Sequence, residues 1–299
     1  MNLLNSQNLF LILSFGLGLG LKQLKLMSRE DASVLLRLVL NICLPPIMIL
    51  AIYRATPSAD MLLVTLSAML VVGVLFLVSS FIGHHLNMPR PTFGSFLVGT
   101  MIMNTAFALP YFKAIGSEEL ARASLFDIGN TILIFTFSYY NAIKFGDNRH
   151  TDKIRLSRFL TLPPVWGLLA AFAIKALRLE IPAPAISFLE ILGQPIGLLM
   201  MVALGLAFAP QKSHLGKALI AVFIRMGLGL AVGFLLSLAF GLQGIPRTVV
   251  IVCSSLPVGF NTLILANREN MDREFAATMV SLSTLLALFT IPLLIHILA

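Results

Sequence analysis

Charge is what this sequence has least of: Asp, Glu, Lys and Arg together make up 11% of its 299 residues, where a water-soluble chain carries about a quarter. That scarcity excludes an ordinary soluble fold, whose surface depends on ionised groups for hydration. Cysteine is almost missing too. Cys43 and Cys253 both fall in apolar runs, so neither a disulfide framework nor a CxxC zinc spacing exists. No Walker loop, HExxH, GxSxG or dinucleotide fingerprint occurs. No plausible set of nucleophile, base and metal ligands stands out either, which disfavours a membrane enzyme. His84 and His85 are expected in a loop without further ligand-type neighbours. The net charge of +8 does not indicate nucleic acid, because the basic residues sit in short connections between apolar runs, as cytoplasmic loops do.

What the chain has instead is apolar length. Hydrophobic residues make up 58% of it and the mean hydropathy is +0.94. A hydrocarbon layer of about 30 Å takes roughly 20 residues of helix to cross. Low-charge stretches bounded by Gly, Pro and charged clusters give ten such spans, near 6–22, 32–53, 61–83, 92–112, 121–143, 159–177, 184–208, 215–240, 247–267 and 274–298. The expected fold class is therefore all-α integral membrane, without a separate soluble domain. The first run lacks a basic region ahead of it and is followed by Lys22, Lys25 and Arg29. This is the reverse of a cleavable signal peptide, so the run is expected to stay as a span.

The connections sort by sign. Odd-numbered ones hold Lys22, Lys25, Arg29, Arg90, Lys144, Arg149, Lys153, Arg155, Arg158, Lys212, Lys217, Arg268 and Arg273. Even-numbered ones hold fewer than half as many: Arg54, Lys113, Arg122, Lys175, Arg178 and Arg247. The positive-inside bias makes the odd loops cytoplasmic, with both termini on the outer side of a bacterial inner membrane. The most polar connection, 146–158, divides the chain into five spans within 1–145 and five within 159–299. Homologous halves with an odd number of spans must insert in opposite orientations, as inverted repeats do in secondary transporters. Faint echoes support this: laid side by side, Ala123 matches Ala277, Phe135 matches Phe289, and Pro45 matches Pro195.

Two spans look broken. The fourth contains Met103 to Pro110 and the ninth Cys253 to Thr262, each with a proline among small and polar residues. Proline removes a backbone donor and clashes with the preceding turn. Freed backbone groups at membrane depth persist only where protein or a watery cavity surrounds them. Matching breaks at Pro110 and Pro257 therefore point to a substrate site, where half-helix N-termini favour an anion. Asn41, Asn104, Thr105, Phe107, Ser254, Ser255, Asn261 and Thr262 are the candidate lining; Pro45 and Gly259 mark further irregular backbone. For Asn41, Ser254 and Ser255, interhelical hydrogen bonding is an equal alternative. The run from Gly16 to Gly20 suits close helix packing.

Two acidic residues fall within spans, Asp127 and Glu190. Burying a carboxylate at mid-helix costs about 2.5–3.5 kcal/mol even on lenient scales. Asp127, beside Gly129, Asn130 and Thr131, forms a cluster suited to a proton or a sodium ion. Glu190 lies nearer the outer interface. Arg225 sits near mid-depth, where it could pair with Asp127, meet an anionic substrate or form a structural ion pair.

These features resemble the auxin efflux carrier family, which includes the plant PIN-formed proteins. Leu36 to Pro45, reading LRLVLNICLP, is similar to that family's second span. Leu192 to Gly205 is similar to its seventh, and Ser255 to Ala266 to its ninth. The resemblance implies a scaffold of spans 1, 2, 6 and 7, with a transport core of the others. Spans 4 and 9 would cross at their breaks, and the core would move against the scaffold as an elevator. It implies crossover prolines at Pro110 and Pro257, crossover polar residues at Asn104 and Asn261, and an ion-binding acid at Asp127. It also implies a carboxylate substrate and a homodimer formed through the scaffold. Ala106 and Ala108 stand where the family tends to carry glycine, and the plant members' long central loop is reduced here to about a dozen residues. The expectation is a carrier of a small carboxylate that needs no cofactor beyond a coupling ion. A membrane sensor that binds the same ligand without transporting it is the alternative.

Overall fold

The computed structural model describes residues 6–54, 58–147 and 163–298. Among these the backbone is helical with no β-strand. This is the expected outcome for a chain in lipid, where no water is available to satisfy peptide groups. In chain order come α1 (Ser6–Gln23), α2 (Asp31–Leu38), α3 (Leu44–Arg54) and α4 (Asp60–His85). There follow α5 (Arg90–Met101), α6 (Thr105–Ile115), α7 (Ser117–Leu133) and α8 (Tyr139–Phe145). Next are α9 (Pro163–Ala176), α10 (Ala183–Gly193), α11 (Ile196–Ala207) and α12 (Leu215–Val222). The last are α13 (Gly229–Ala239), α14 (Gly244–Ser254), α15 (Asn261–Arg268) and α16 (Arg273–Leu298).

Three of these junctions are wide π-helical turns rather than breaks. Val39–Cys43 joins α2 to α3, Ile134–Ser138 joins α7 to α8, and Phe223–Leu228 joins α12 to α13. Pro45 follows the first of these turns, where its missing N–H is accommodated. It lies close to Gly167 of α9, at which an added Cβ would come within 2.8 Å of the Pro45 Cα.

Six helical runs among the described residues are long and apolar enough to span a bilayer: Asp31–Arg54, Asp60–His85, Ser117–Phe145, Ala183–Ala207, Lys212–Ala239 and Arg273–Leu298. The stretches expected as spans four and nine are each split in two, α5 with α6 and α14 with α15, so neither half is long enough alone. Most of the connection 146–158 lies outside the described residues. His84 and His85 are not in a loop: α4 continues through both, and each imidazole Nδ1 lies within hydrogen-bond distance of the carbonyl four residues back.

The helices pack in two groups. In one, α1 lies on α11, α2 on α11, α3 on α9 and α10 on α3. In the other, α4 packs on α7 and α5, α6 on α7, α13 on α14, and α12 on α16. The groups meet where α3 packs on α7 and α11 on α6. The glycine run in α1 serves close packing at one residue. A Cβ on Gly18 would lie 2.3 Å from the Val202 carbonyl oxygen, and one on Gly205 would lie 2.3 Å from that of Phe15, whereas Gly16 and Gly20 face open space. Small residues let helix backbones approach in lipid, where no hydrophobic drive draws helices together.

Candidate functional site

The site begins where α5 stops. At Ile102 the chain turns extended, with φ −82° and ψ 122°. Met103 then forms an isolated antiparallel bridge with Val258. The Asn104 N–H donates to the Pro257 carbonyl at 2.9 Å, and the Gly259 N–H donates to the Ile102 carbonyl at 2.9 Å. Two extended segments thus cross and satisfy each other's peptide groups. Gly259 permits the approach, since a Cβ there would lie 2.4 Å from Ile102 Cγ2 and 2.9 Å from the Met103 carbonyl oxygen.

Two side chains from neighbouring helices take up three further peptide groups. Asn130 of α7 accepts from the Met103 N–H through Oδ1 at 3.3 Å and donates through Nδ2 to the Met103 carbonyl at 3.0 Å. Ser283 of α16 accepts from the Val258 N–H at 3.1 Å. Asn130, grouped with Asp127 from its position in sequence, is thus engaged by the fourth-span backbone. Its partner in this task, Ser283, was not singled out from sequence; the polar residues Ser281, Ser283 and Thr284 within an apolar run were the available signal.

Arg225 is fully buried, and its hydrogen bonds go to backbone carbonyls and not to Asp127. Its guanidinium donates Nε to the Leu256 carbonyl at 3.2 Å and Nη1 to the Thr100 carbonyl at 3.2 Å. Nη2 donates to the Ser254 carbonyl. These carbonyls belong to the C-terminal ends of α5 and α14 and to the turn just beyond α14. Helix C-termini carry orphan carbonyls and partial negative charge, so one cation serves both. Its fork of donors suits such a task better than a lysine would.

At the opposite pole lie the starts of α6 and α15. Asp127 accepts from the Thr105 hydroxyl at the first residue of α6, and from Thr131 at 3.4 Å. A carboxylate there faces a helix N-terminus, where negative charge is favoured. Among the described residues, Asn104 Nδ2 and Thr262 Oγ1 are buried without a hydrogen-bond partner, one just before α6 and the other within the first turn of α15. Asn104 is 4% exposed and Thr262 0%. Asn261 opens α15 and is only partly buried.

The remaining candidates are placed as follows. Pro110 does not form the fourth-span break; it lies inside α6, and the interruption falls at residues 102–104 because the chain pairs with Pro257, Val258 and Gly259 there. Pro257 does sit in its break. Phe107 is buried with its ring centroid 5.8 Å from that of Tyr111. The Ser255 hydroxyl donates back to the Val252 carbonyl at 2.8 Å, and the Ser254 hydroxyl lies beside Gly233 of α13. Asn41 lies in the first π turn and is exposed. Glu190 pairs with Arg54 at 2.5 Å, with both side chains about half exposed.

A family profile described as a membrane transport protein matches residues 147–295. An uncharacterized transporter of Methanocaldococcus jannaschii is 28% identical over 283 residues, covering 90% of each chain. An uncharacterized transporter of Methanothermobacter thermautotrophicus is 26% identical over 288 residues, covering 93% of this chain and 92% of its own. Both relatives bear the name of transporters, not of enzymes.

Proposed function

Because this chain belongs to the membrane transport protein family, that of the auxin efflux carriers, we propose that it is a secondary carrier of a small carboxylate. The observation that carries this reading is the pair of buried, unpartnered donors, Asn104 Nδ2 and Thr262 Oγ1, held at two half-helix starts that the crossing brings together. An anion at either half-helix start would meet one of these donors and the partial positive charge of a helix N-terminus. In this reading the ten spans form two inverted repeats. The group containing α1–α3 and α9–α11 is the scaffold, and the rest is a transport core that slides against it to alternate access. Asp127 carries the coupling proton or sodium ion. The scaffold supplies a homodimer interface, and the chain sits in the cell membrane with both termini outward.

The reading is tested in proteoliposomes preloaded with an unlabelled carboxylate. Labelled acid should accumulate transiently by counterflow, which a sensor that only binds cannot produce. Asn104→Ala is expected to abolish the exchange and Asn261→Ala to reduce or abolish it. Full-rate exchange in both variants would move the site away from the crossover.

A further inference from the structure

A cavity of about 490 Å³ opens at the junction of the two helix groups, well away from the crossover. It lies between α3, α10 and the turn from α6 to α7, whose Gly116 is extended. Lys113 marks its position: eight residues along α6 from Thr105, at 1.5 Å of rise each, put it about 12 Å from the crossing. A volume in this range is that of a small-molecule site.

Its lining carries three ionised side chains. Arg54 and Glu190 neutralise each other across 2.5 Å. Lys113 instead donates to the Gly193 carbonyl at 3.1 Å, an uncharged acceptor at the last residue of α10. Among the described residues, Lys113 is thus the cation of this cavity to which no carboxylate hydrogen-bonds. The rest of the wall is largely apolar, with Leu50 of α3, Leu120 of α7 and Ile191 of α10 prominent. One such cation against an apolar wall suits a molecule with one negative charge and a greasy body, not a polyacid.

We propose that this cavity is a second binding station, for a monocarboxylate whose apolar body lies on Leu50, Leu120 and Ile191 and whose carboxylate takes the Lys113 ammonium from the Gly193 carbonyl. Lys113 and Gly193 belong to different helix groups, so occupancy also releases a polar contact between them. As a stop on the transport path the station rests on the carrier reading, but binding to it does not.

The experiment titrates phenylacetate, and acetate as the probe without an apolar body, into the full chain in nanodiscs by calorimetry. The wild type, Lys113→Met, Lys113→Arg, Leu120→Asp and Asn104→Ala are compared, each checked by its melting temperature. Phenylacetate should bind the wild type and Asn104→Ala, and bind more tightly than acetate. Lys113→Met should weaken it by about tenfold to a hundredfold, the loss of one charge-assisted hydrogen bond. Lys113→Arg should retain most of the affinity, and Leu120→Asp should lose it. The proposal is overturned if Lys113→Met binds as the wild type does, if Asn104→Ala alone removes all binding, or if the wild type binds no phenylacetate. Binding at Lys113 in a protein that shows no counterflow of any acid would sink the carrier reading and leave the station standing.

Discussion

Replacing Arg225 by methionine removes a cation that holds three carbonyls, those of Thr100, Ser254 and Leu256. Hydrogen bonds to a charged group contribute about 1.5–3 kcal/mol each, so the three together amount to roughly 4–9 kcal/mol. Against this stands relief of the guanidinium's own desolvation, which is several kcal/mol for a buried ion. The net loss is about 3–5 kcal/mol, since the three buried carbonyls are left without their donor at about 1–3 kcal/mol each. Methionine fills much of the space, so the cavity contribution is small. At about 2–4 °C per kcal/mol for chains of somewhat smaller size, the melting temperature should fall by about 10 °C. Lysine retains the charge but lacks the planar fork and should fall between methionine and wild type. Thermal unfolding of the detergent-purified protein reads both, and counterflow reads the consequence for the crossing. An Arg225→Met variant melting within about 1–2 °C of wild type would refute the view that this side chain holds the C-terminal ends of α5 and α14 in place.

Asn130→Ala leaves both peptide groups of Met103 without their side-chain partner and should cost about 2–6 kcal/mol, at about 1–3 kcal/mol per unsatisfied buried group. Ser283→Ala removes one such bond and should cost about half as much; equal melting temperatures for both variants and wild type would contradict this. Gly18→Leu should loosen α1 from α11, where the Val202 carbonyl oxygen would stand 2.3 Å from the new Cβ, while Gly20→Leu, in open space, should melt like wild type. Asp127→Asn is expected to keep counterflow exchange but to lose uptake driven by a proton or sodium gradient; gradient-driven uptake that survives would remove Asp127 from coupling.

Much of this protein was legible without coordinates. An apolar majority with so few charges leaves lipid as the only solvent in which the chain can fold, and backbone satisfaction then leaves helices as the form it takes. The two irregular stretches were visible as well, because Pro257 and the small polar residues around it cannot continue an apolar helix unremarked. The position of the fourth-span interruption was not. Pro110 can be tolerated inside α6, and the chain opens instead at Ile102 to Asn104, where a partner segment from the other half waits.

The destination of Arg225 was hidden for the same reason. Its partners are backbone carbonyls, which every residue possesses and none advertises, so no side-chain pattern could single out Thr100, Ser254 and Leu256. Asn130 and Ser283 likewise serve peptide groups brought near only by folding. Composition and periodicity thus determined the solvent and the helices of this chain, since each residue contributes to those independently. Tertiary structure alone decided which residues meet at the crossing, Met103 with Val258 among them, because that depends on pairs of positions more than a hundred residues apart.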